Sequence, residues 1–210
     1  MLRALLVLAL LSCATACSWG TGSETAIGRV NDVQGKPRVF RGDRYLELGP
    51  GAGLEIGDSV ITYSLDRVEV KLRDGTMLRA GGDVQLTIRE YSYKGGPSKL
   101  RLTSSGGRYR LTTGKSFKGV GSSLEISTPS AIIQSGEADL LVEHDNDAQS
   151  MIVMRLGSGL ISVRNQFGET ELLRRGEMSS VSFGLLPSQP IPAEESELDN
   201  AVKSTSLPNR

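Results

Sequence analysis

Apolar and polar residues alternate along most of this chain, from Ile27 to about Phe183. The clearest run contains Val68, Val70 and Leu72, which are separated by charged residues. Such a period of two places successive side chains on opposite faces of a β-strand. Gly, Asp, Asn and Pro interrupt the runs at intervals of roughly 8–12 residues, the spacing of all-β domains. No window of helical length carries an apolar stripe, so the pattern predicts an all-β domain.

Glycine-containing pairs between neighbouring runs predict two hairpins. Asp74-Gly75 lies between two alternating runs and predicts a tight two-residue turn. Gly106-Gly107 lies between two further runs and predicts a second hairpin over residues 100–111.

The N-terminal segment has a different pattern. In residues 1–16, Arg3 precedes an apolar run that is shorter than the about 20 residues needed to span a bilayer. Small residues follow the run, and together these parts predict a secretory signal peptide. The next residue is Cys17, as at the lipid-attachment site of bacterial lipoproteins, so we expect acylation of its sulfur. Two alternatives stay open: lipid on Cys13, or a secreted chain without lipid.

The boundaries of the pattern predict four segments. Residues 1–16 are the signal peptide, and residues 17–26 are a lipidated N-terminus and tether. Residues 27–184 form the β domain. Residues 185–210 are polar and rich in Pro, and they contain too few apolar residues to bury, so we expect a disordered tail.

Composition narrows the chemistry further. The chain has 24 basic and 24 acidic residues, so its net charge gives no indication of nucleic-acid binding. Both cysteines lie within the first 17 residues, so the β domain can form no disulfide and no thiolate metal site.

A fixed order of glycines, apolar residues and turn pairs runs through the β domain. In the first half it consists of Gly28, Val30, Val33, Gly35, Val39, Arg41, Gly42, Leu48, Gly49, Leu54, Gly57, Asp58, Ile61, Thr62, Ser64, Val68, Val70, Leu72, Asp74 and Gly75. In the second half it consists of Leu100, Leu102, Gly107, Ser127, Thr128, Pro129, Ala131, Gly136, Val142, Val153, Gly157, Leu160, Val163, Arg175 and Gly176. This order resembles the FecR-type domain family of bacterial envelope proteins over about three quarters of the chain.

The resemblance implies a fold and a cellular setting. It implies a β-solenoid-like stack of short strands and hairpins; a jelly roll or β-sandwich is the alternative, because turn spacing does not separate these folds. Signalling members of the family carry a cytosolic anti-sigma segment and a transmembrane helix before this domain, and a receiving lobe after it. None of these three parts is expected from this sequence, and Ser135-Gly136-Glu137 replaces an Arg-Gly-Thr that is frequent in the family.

We therefore expect a stand-alone bacterial lipoprotein of the cell envelope that faces the periplasm and acts as a non-enzymatic binding or scaffold module. Ser18 after the lipidated residue predicts the outer membrane if the host is Gram-negative. The alternative function is a periplasmic signalling adaptor for a transporter or membrane regulator. Expected partners are the membrane, through the lipid, and an anionic envelope polymer or another envelope protein.

Catalytic and metal-binding patterns are weak. His144 is the single histidine, so no second imidazole can complete a zinc site or a proton relay. Residues 143–147 are acidic, but as a calcium loop they fail, because Ser150 replaces the glycine and Leu156 the bidentate glutamate. The sequence predicts no enzyme, no metal and no cofactor.

One segment is strongly basic. Between Val84 and Lys118 there are eight basic residues and one acid. In the predicted second hairpin, one face carries Lys99, Arg101, Arg108 and Arg110. Like charges facing one another across strands destabilise a sheet, so this face needs a compensating anion. We favour an acidic strand of the same domain; the alternative is an anionic partner such as lipid headgroups, lipopolysaccharide phosphates or a glycan.

Overall fold

The computed structural model describes residues 25–145 and 149–207. The predicted signal peptide, Cys13, Cys17 and most of the predicted tether lie outside the described residues.

The described residues form two nine-stranded sheets. Sheet A contains β1 (Gly28–Gln34), β4 (Gly53–Leu54), β6 (Arg67–Leu72), β7 (Met77–Ala80), β10 (Arg108–Thr112), β13 (Asp139–Asp145), β14 (Ser150–Arg155), β17 (Glu177–Ser182) and β18 (Ile191–Pro192). Sheet B contains β2 (Arg38–Arg41), β3 (Arg44–Glu47), β5 (Ser59–Ile61), β8 (Gln85–Ser92), β9 (Lys99–Gly106), β11 (Ser123–Ser127), β12 (Ile132–Ser135), β15 (Ile161–Asn165) and β16 (Gly168–Leu172). A 3-10 helix, η1 (Lys115–Lys118), and an α-helix, α1 (Glu195–Thr205), complete the fold.

The chain passes repeatedly from one sheet to the other. The spatial order in sheet A is β18-β17-β14-β13-β10-β7-β6-β1-β4, and in sheet B it is β16-β15-β12-β11-β9-β8-β5-β2-β3. Neighbouring strands are antiparallel except β9 and β11, which are parallel. The inward side chains of both sheets form one apolar core, including Val70 and Leu111 from sheet A and Leu86 and Ile126 from sheet B. The predicted all-β architecture is confirmed.

The turn between β6 and β7 confirms the first predicted hairpin, but its loop is longer than the predicted two residues. The N–H of Leu72 donates to the carbonyl of Thr76 at 2.8 Å, and the N–H of Gly75 donates to the carbonyl of Leu72 at 3.0 Å. Three residues therefore form the loop, rather than two. Gly75 has a φ of +90°, a conformation that favours glycine at the third position of such a loop.

The second predicted hairpin is wrong. β9 lies in sheet B and β10 in sheet A, so the chain crosses between the sheets at Gly106 and Gly107 instead of folding back. Gly107 has a φ of +79°, and a Cβ there would lie 2.5 Å from the backbone of Asp83. A glycine is therefore required at this close crossing.

The structure also differs from the predicted disordered tail, because β18 and α1 are formed within it. The N–H of Glu194 donates to Oε2 of Glu197 at 2.8 Å, which satisfies a backbone donor at the start of α1. The buried apolar residue of the helix, Ala201, packs in a small apolar cluster with residues of sheet A and its loops: Leu141, Met154, Leu156 and Met178. These partners are distant in sequence, so local composition did not reveal the helix.

The two sheets and the core between them form a sandwich with two ends. The N-terminal end carries Ile27, the β6–β7 turn and η1. The distal end is opposite and carries Arg67, Arg108 and Asp145.

Candidate functional site

The four predicted binding residues lie on two different sheets. Lys99 and Arg101 are on β9 in sheet B, whereas Arg108 and Arg110 are on β10 in sheet A. The prediction that the four cations share one face is therefore wrong. Period two is the same for strands that form a hairpin and for strands that cross between sheets, so the sequence pattern did not separate the two cases.

A groove of about 590 Å³ crosses the outer face of sheet B. It contains the two predicted binding residues of sheet B, Lys99 and Arg101, and the carboxylates of Glu90, Glu125 and Glu137. Strands β8, β9, β11 and β12 and the segment before β15 contribute its walls.

A ladder of polar side chains runs across this face, perpendicular to the strands. Arg101 lies between Glu90, at 3.4 Å, and Glu125, at 3.3 Å. The amide of Gln134 donates to Glu125 at 3.0 Å and accepts from Nε of Arg164 at 3.1 Å. Five neighbouring strands are linked in this way, so the groove presents alternating charges rather than a uniformly positive surface.

On sheet A the cations are paired with β13. Arg108 forms a hydrogen-bonded ion pair with Glu143. The guanidinium of Arg110 forms a bidentate pair with Asp139, with both N–O distances at 2.9 Å. For these two residues, the acidic strand that the sequence analysis favoured as the compensating anion is β13.

We expect Arg110→Ala to lower the free energy of unfolding by about 2–3 kcal/mol, because it leaves the largely buried carboxylate of Asp139 without its cation. Arg101→Ala removes the same side chain from the other sheet, but Arg101 is 55% exposed, so we expect a loss within about 1 kcal/mol. Urea unfolding of both variants measures the difference. Equal losses would contradict the assignment of Arg110 to an internal pair.

A second cleft, of about 570 Å³, lies at the distal end and is polar in character. Arg67 and Arg108 border it together with Ser204 near the end of α1, and His144 forms part of its wall. A smaller cleft of about 270 Å³ is lined by His144 and Phe183. The single histidine therefore borders both clefts.

Three buried polar side-chain atoms, one of them on His144, are without a partner among the described residues. Within the described part of the chain, no hydrogen-bond partner is found for Oγ of Ser104, the hydroxyl of Tyr109 or Nε2 of His144. Burial raises the pKa of Tyr109 above its ordinary value; the nearby Ser104 hydroxyl partly opposes this, although no hydrogen bond of good geometry joins the two. The rings of Tyr109 and His144 are stacked with centroids 6.4 Å apart. Burial lowers the pKa of His144, which favours the neutral imidazole.

This environment predicts an acid-sensitive domain. Because the pKa of His144 is lower in the folded state, the unfolded chain binds more protons than the folded chain as the pH falls below about 6.5. The contribution of neutral His144 to the free energy of unfolding is fully present above that pH. It is lost progressively as the pH falls toward the lower pKa that His144 has in the folded state. Urea unfolding between about pH 7.5 and pH 5 should show this loss, and it should be reduced in His144→Gln. A pH dependence identical in the two proteins would contradict the prediction.

Among residues 25–145 and 149–207, no three His, Cys, Asp or Glu side chains are grouped to hold a metal ion. Asn146 and Asp147, from the acidic turn considered in the sequence, lie outside the described residues. The helix of the described chain is too short and too polar to cross a membrane.

Comparisons with known proteins identify two structures of similar fold. No family model and no curated protein matches this sequence. Two solved structures described as a "putative anti-sigma factor" from Parabacteroides distasonis ATCC 8503 are similar to it, each with a TM-score of 0.55. Their identities to this chain are 13% and 14%, over 69% of this chain and 63% and 64% of theirs. The chain thus spans less than two thirds of those proteins, and the likeness shows a shared fold.

Proposed function

We propose that this protein is a lipid-anchored, non-enzymatic binding module of the bacterial cell envelope and that its main partner is another envelope protein. The observation that carries this proposal is the groove on sheet B. Because Arg101 is neutralised by Glu90 and Glu125, the groove suits a partner of mixed charge better than a uniformly anionic polymer.

The groove also combines polar and apolar groups in the way that protein interfaces do. Leu160 lies in it and is 47% exposed, and it is bordered by the charged ladder. An exposed aliphatic side chain inside a polar rim can be buried by a partner while the rim sets the orientation. The strands hold these groups in a preformed arrangement, which reduces the entropic cost of binding.

A matched pair of variants tests the groove. Leu160→Asp places a charge in it, whereas Ile152→Asp places the same charge at an exposed aliphatic residue on the outer face of sheet A. In cells that express the tagged full chain, cross-linking should yield a defined protein adduct that is retained with Ile152→Asp and lost with Leu160→Asp. An adduct that is retained in both variants, or lost in both, would rule out the groove as the contact surface.

The anchor is tested separately, at residues that lie outside the described part of the chain. Cys17→Ser should move the protein from the membrane pellet to the soluble fraction and abolish labelling with palmitate, because stable anchoring needs the acyl chains. Cys13→Ser is the matched control and should leave the protein in the membrane. The opposite result would assign the lipid to Cys13, and no effect of either change would contradict lipid anchoring.

The second candidate function is a periplasmic signalling adaptor. The observation that favours it is the fold shared with the two structures described as a putative anti-sigma factor. Under this alternative, deletion of the gene should change transcription of a small set of envelope genes, and the Leu160→Asp chain should fail to restore it. An unchanged transcript profile would favour the scaffold function.

A further inference from the structure

The lysines of the basic segment are gathered at the N-terminal end of the sandwich, apart from its arginines. The arginines at positions 101, 108 and 110 are paired on the sheet faces, as described above. Lys94 lies in the loop between β8 and β9, Lys99 begins β9, and Lys115 and Lys118 are the two ends of η1. All four lysines are exposed.

Contacts between the loops hold these lysines together. The N–H of Ser98 donates to Oγ of Ser122 at 3.1 Å, and the N–H of Ser123 donates to the carbonyl of Ser98 at 2.8 Å. Gly121 lies against the ring of Pro97. The loop that carries Lys94 and the loop that follows η1 therefore form one surface.

The surface is positive because few acids oppose it. Lys118 pairs with Glu137 at 3.3 Å, and the ammonium of Lys94 lies 5.3 Å from the centre of the Tyr93 ring. Within the described residues, no carboxylate lies within ion-pair distance of Lys94, Lys99 or Lys115.

A second acid near this surface, Asp74, is turned inward. Asp74 accepts hydrogen bonds from the hydroxyl of Tyr91 at 2.9 Å, from the hydroxyl of Thr76 at 2.7 Å and from Oγ of Ser116 at 3.1 Å. The Asp74 carboxylate therefore joins the β6–β7 turn to η1 by hydrogen bonds, and it does not neutralise the charge of the lysines.

An apolar side chain projects from the same surface. Val120 is 99% exposed and lies between Gly119 and Gly121, immediately after η1. A fully exposed valine among lysines matches the composition of segments that insert one apolar group beneath lipid headgroups.

The described chain also begins at this end. The N–H of Ile27 donates to the carbonyl of Leu54 at 2.7 Å, and its carbonyl accepts from the N–H of Arg73, in the β6–β7 turn, at 2.9 Å. Residues before Ile27 therefore join the domain on the side that carries the lysines.

We propose that the N-terminal end is a membrane-contact surface for anionic lipid headgroups, with the four lysines at the phosphates and Val120 at the acyl boundary. Long-range attraction to an anionic surface and the flexible stems of lysine both favour this contact. The sheet-B groove then lies beside this surface, with Lys99 at the border between the two, and is open to a partner. The inference rests on the geometry of this end and not on acylation of Cys17.

Vesicle partitioning tests the surface. All proteins carry Cys17→Ser on the full chain, so acyl chains are absent and any contribution of the N-terminal segment is common to all. The vesicles contain about one third phosphatidylglycerol in phosphatidylcholine, and pure phosphatidylcholine is the neutral reference. Because each lysine near such a surface contributes about five-fold to partitioning, Lys94→Gln, Lys99→Gln and Lys115→Gln combined should weaken binding on the order of 100-fold.

The matched control removes three exposed cations elsewhere, at Lys36, Arg38 and Lys203, each changed to Gln. It has the same net charge as the lysine variant and should bind about as well as the parent. Circular dichroism confirms the fold of each protein. Binding should fall when salt rises from about 0.1 M to about 1 M, as the screening length shortens from about 10 Å to about 3 Å.

A spectroscopic readout locates Val120. Val120→Trp, in a chain with Trp19→Phe, should show blue-shifted fluorescence with the anionic vesicles, and the shift should disappear in the triple-lysine variant. Equal weakening by the control variant, unchanged binding of the lysine variant, or no binding by the parent would each overturn the proposal. Because the anchor is tested by fractionation of Cys17→Ser and the groove by Leu160→Asp, failure of this surface is distinguishable from failure of the proposed function.

Discussion

Arg41→Ala is expected to lower the free energy of unfolding by about 3–5 kcal/mol, the cost of leaving a buried carboxylate without its cation. The carboxylate is that of Asp58, which is 1% exposed. Nε and Nη2 of Arg41 bind its two oxygens at 2.8 and 2.6 Å, and the N–H of Glu55 supplies one further donor at 2.8 Å. The hydrogen bond to Asp58 raises the pKa of Arg41.

Urea unfolding measures this loss, and the same hairpin offers a control. Arg44 forms an exposed pair with Asp43, so Arg44→Ala should change stability by less than about 1 kcal/mol. The double variant Arg41→Ala, Asp58→Ala removes the uncompensated charge, so it should lose less than the sum of the single variants. Additive losses would show that the two side chains do not act as a pair.

Phe117→Ala is expected to cost about 3–5 kcal/mol, the range for a large aromatic side chain removed from a packed core. Phe117 is 2% exposed and is the buried residue of η1. It closes the N-terminal end of the core, and its loss leaves a cavity that the two sheets cannot collapse to fill.

Thermal and urea unfolding of Phe117→Ala measure this cost, and Val120→Ala in the same loop is the control. Because Val120 is almost fully exposed, its truncation should leave stability unchanged. Phe117→Ala should also disturb the surface formed by Lys115 and Lys118, because Phe117 is the side chain that packs η1 into the core. A stable Phe117→Ala chain would show that η1 is dispensable to the core.

The period-two pattern was sufficient to predict strands such as β6 and β10, in which buried residues alternate with residues turned outward. It predicted β6 from Val68, Val70 and Leu72, all of which are buried. The Asp74-Gly75 turn was also predicted, because a turn that needs a positive φ favours glycine, and an Asp-Gly pair is visible in the sequence. The concentration of cations before Lys118 was likewise visible as composition.

Partners in space were not predictable from the same pattern. An alternating run is identical whether the chain folds back within one sheet or crosses to the other, so the face that Arg108 and Arg110 occupy was decided by the crossing at Gly107. Their carboxylates, on Glu143 and Asp139, come from a strand about 30 residues later. Helix α1 is also decided by tertiary contact, because its few apolar residues cannot order the segment alone.

The sequence by itself therefore determined the strands, one tight turn and an excess of lysine and arginine in one segment, all properties of a residue and its near neighbours. Only the tertiary structure decided which cations are neutralised and which face outward. Lys94 and Lys115 became a surface because two loops meet at one end, whereas Arg110 became an internal partner because β13 lies beside β10. Coulomb attraction and burial act over a few ångströms in space, whatever the separation along the chain.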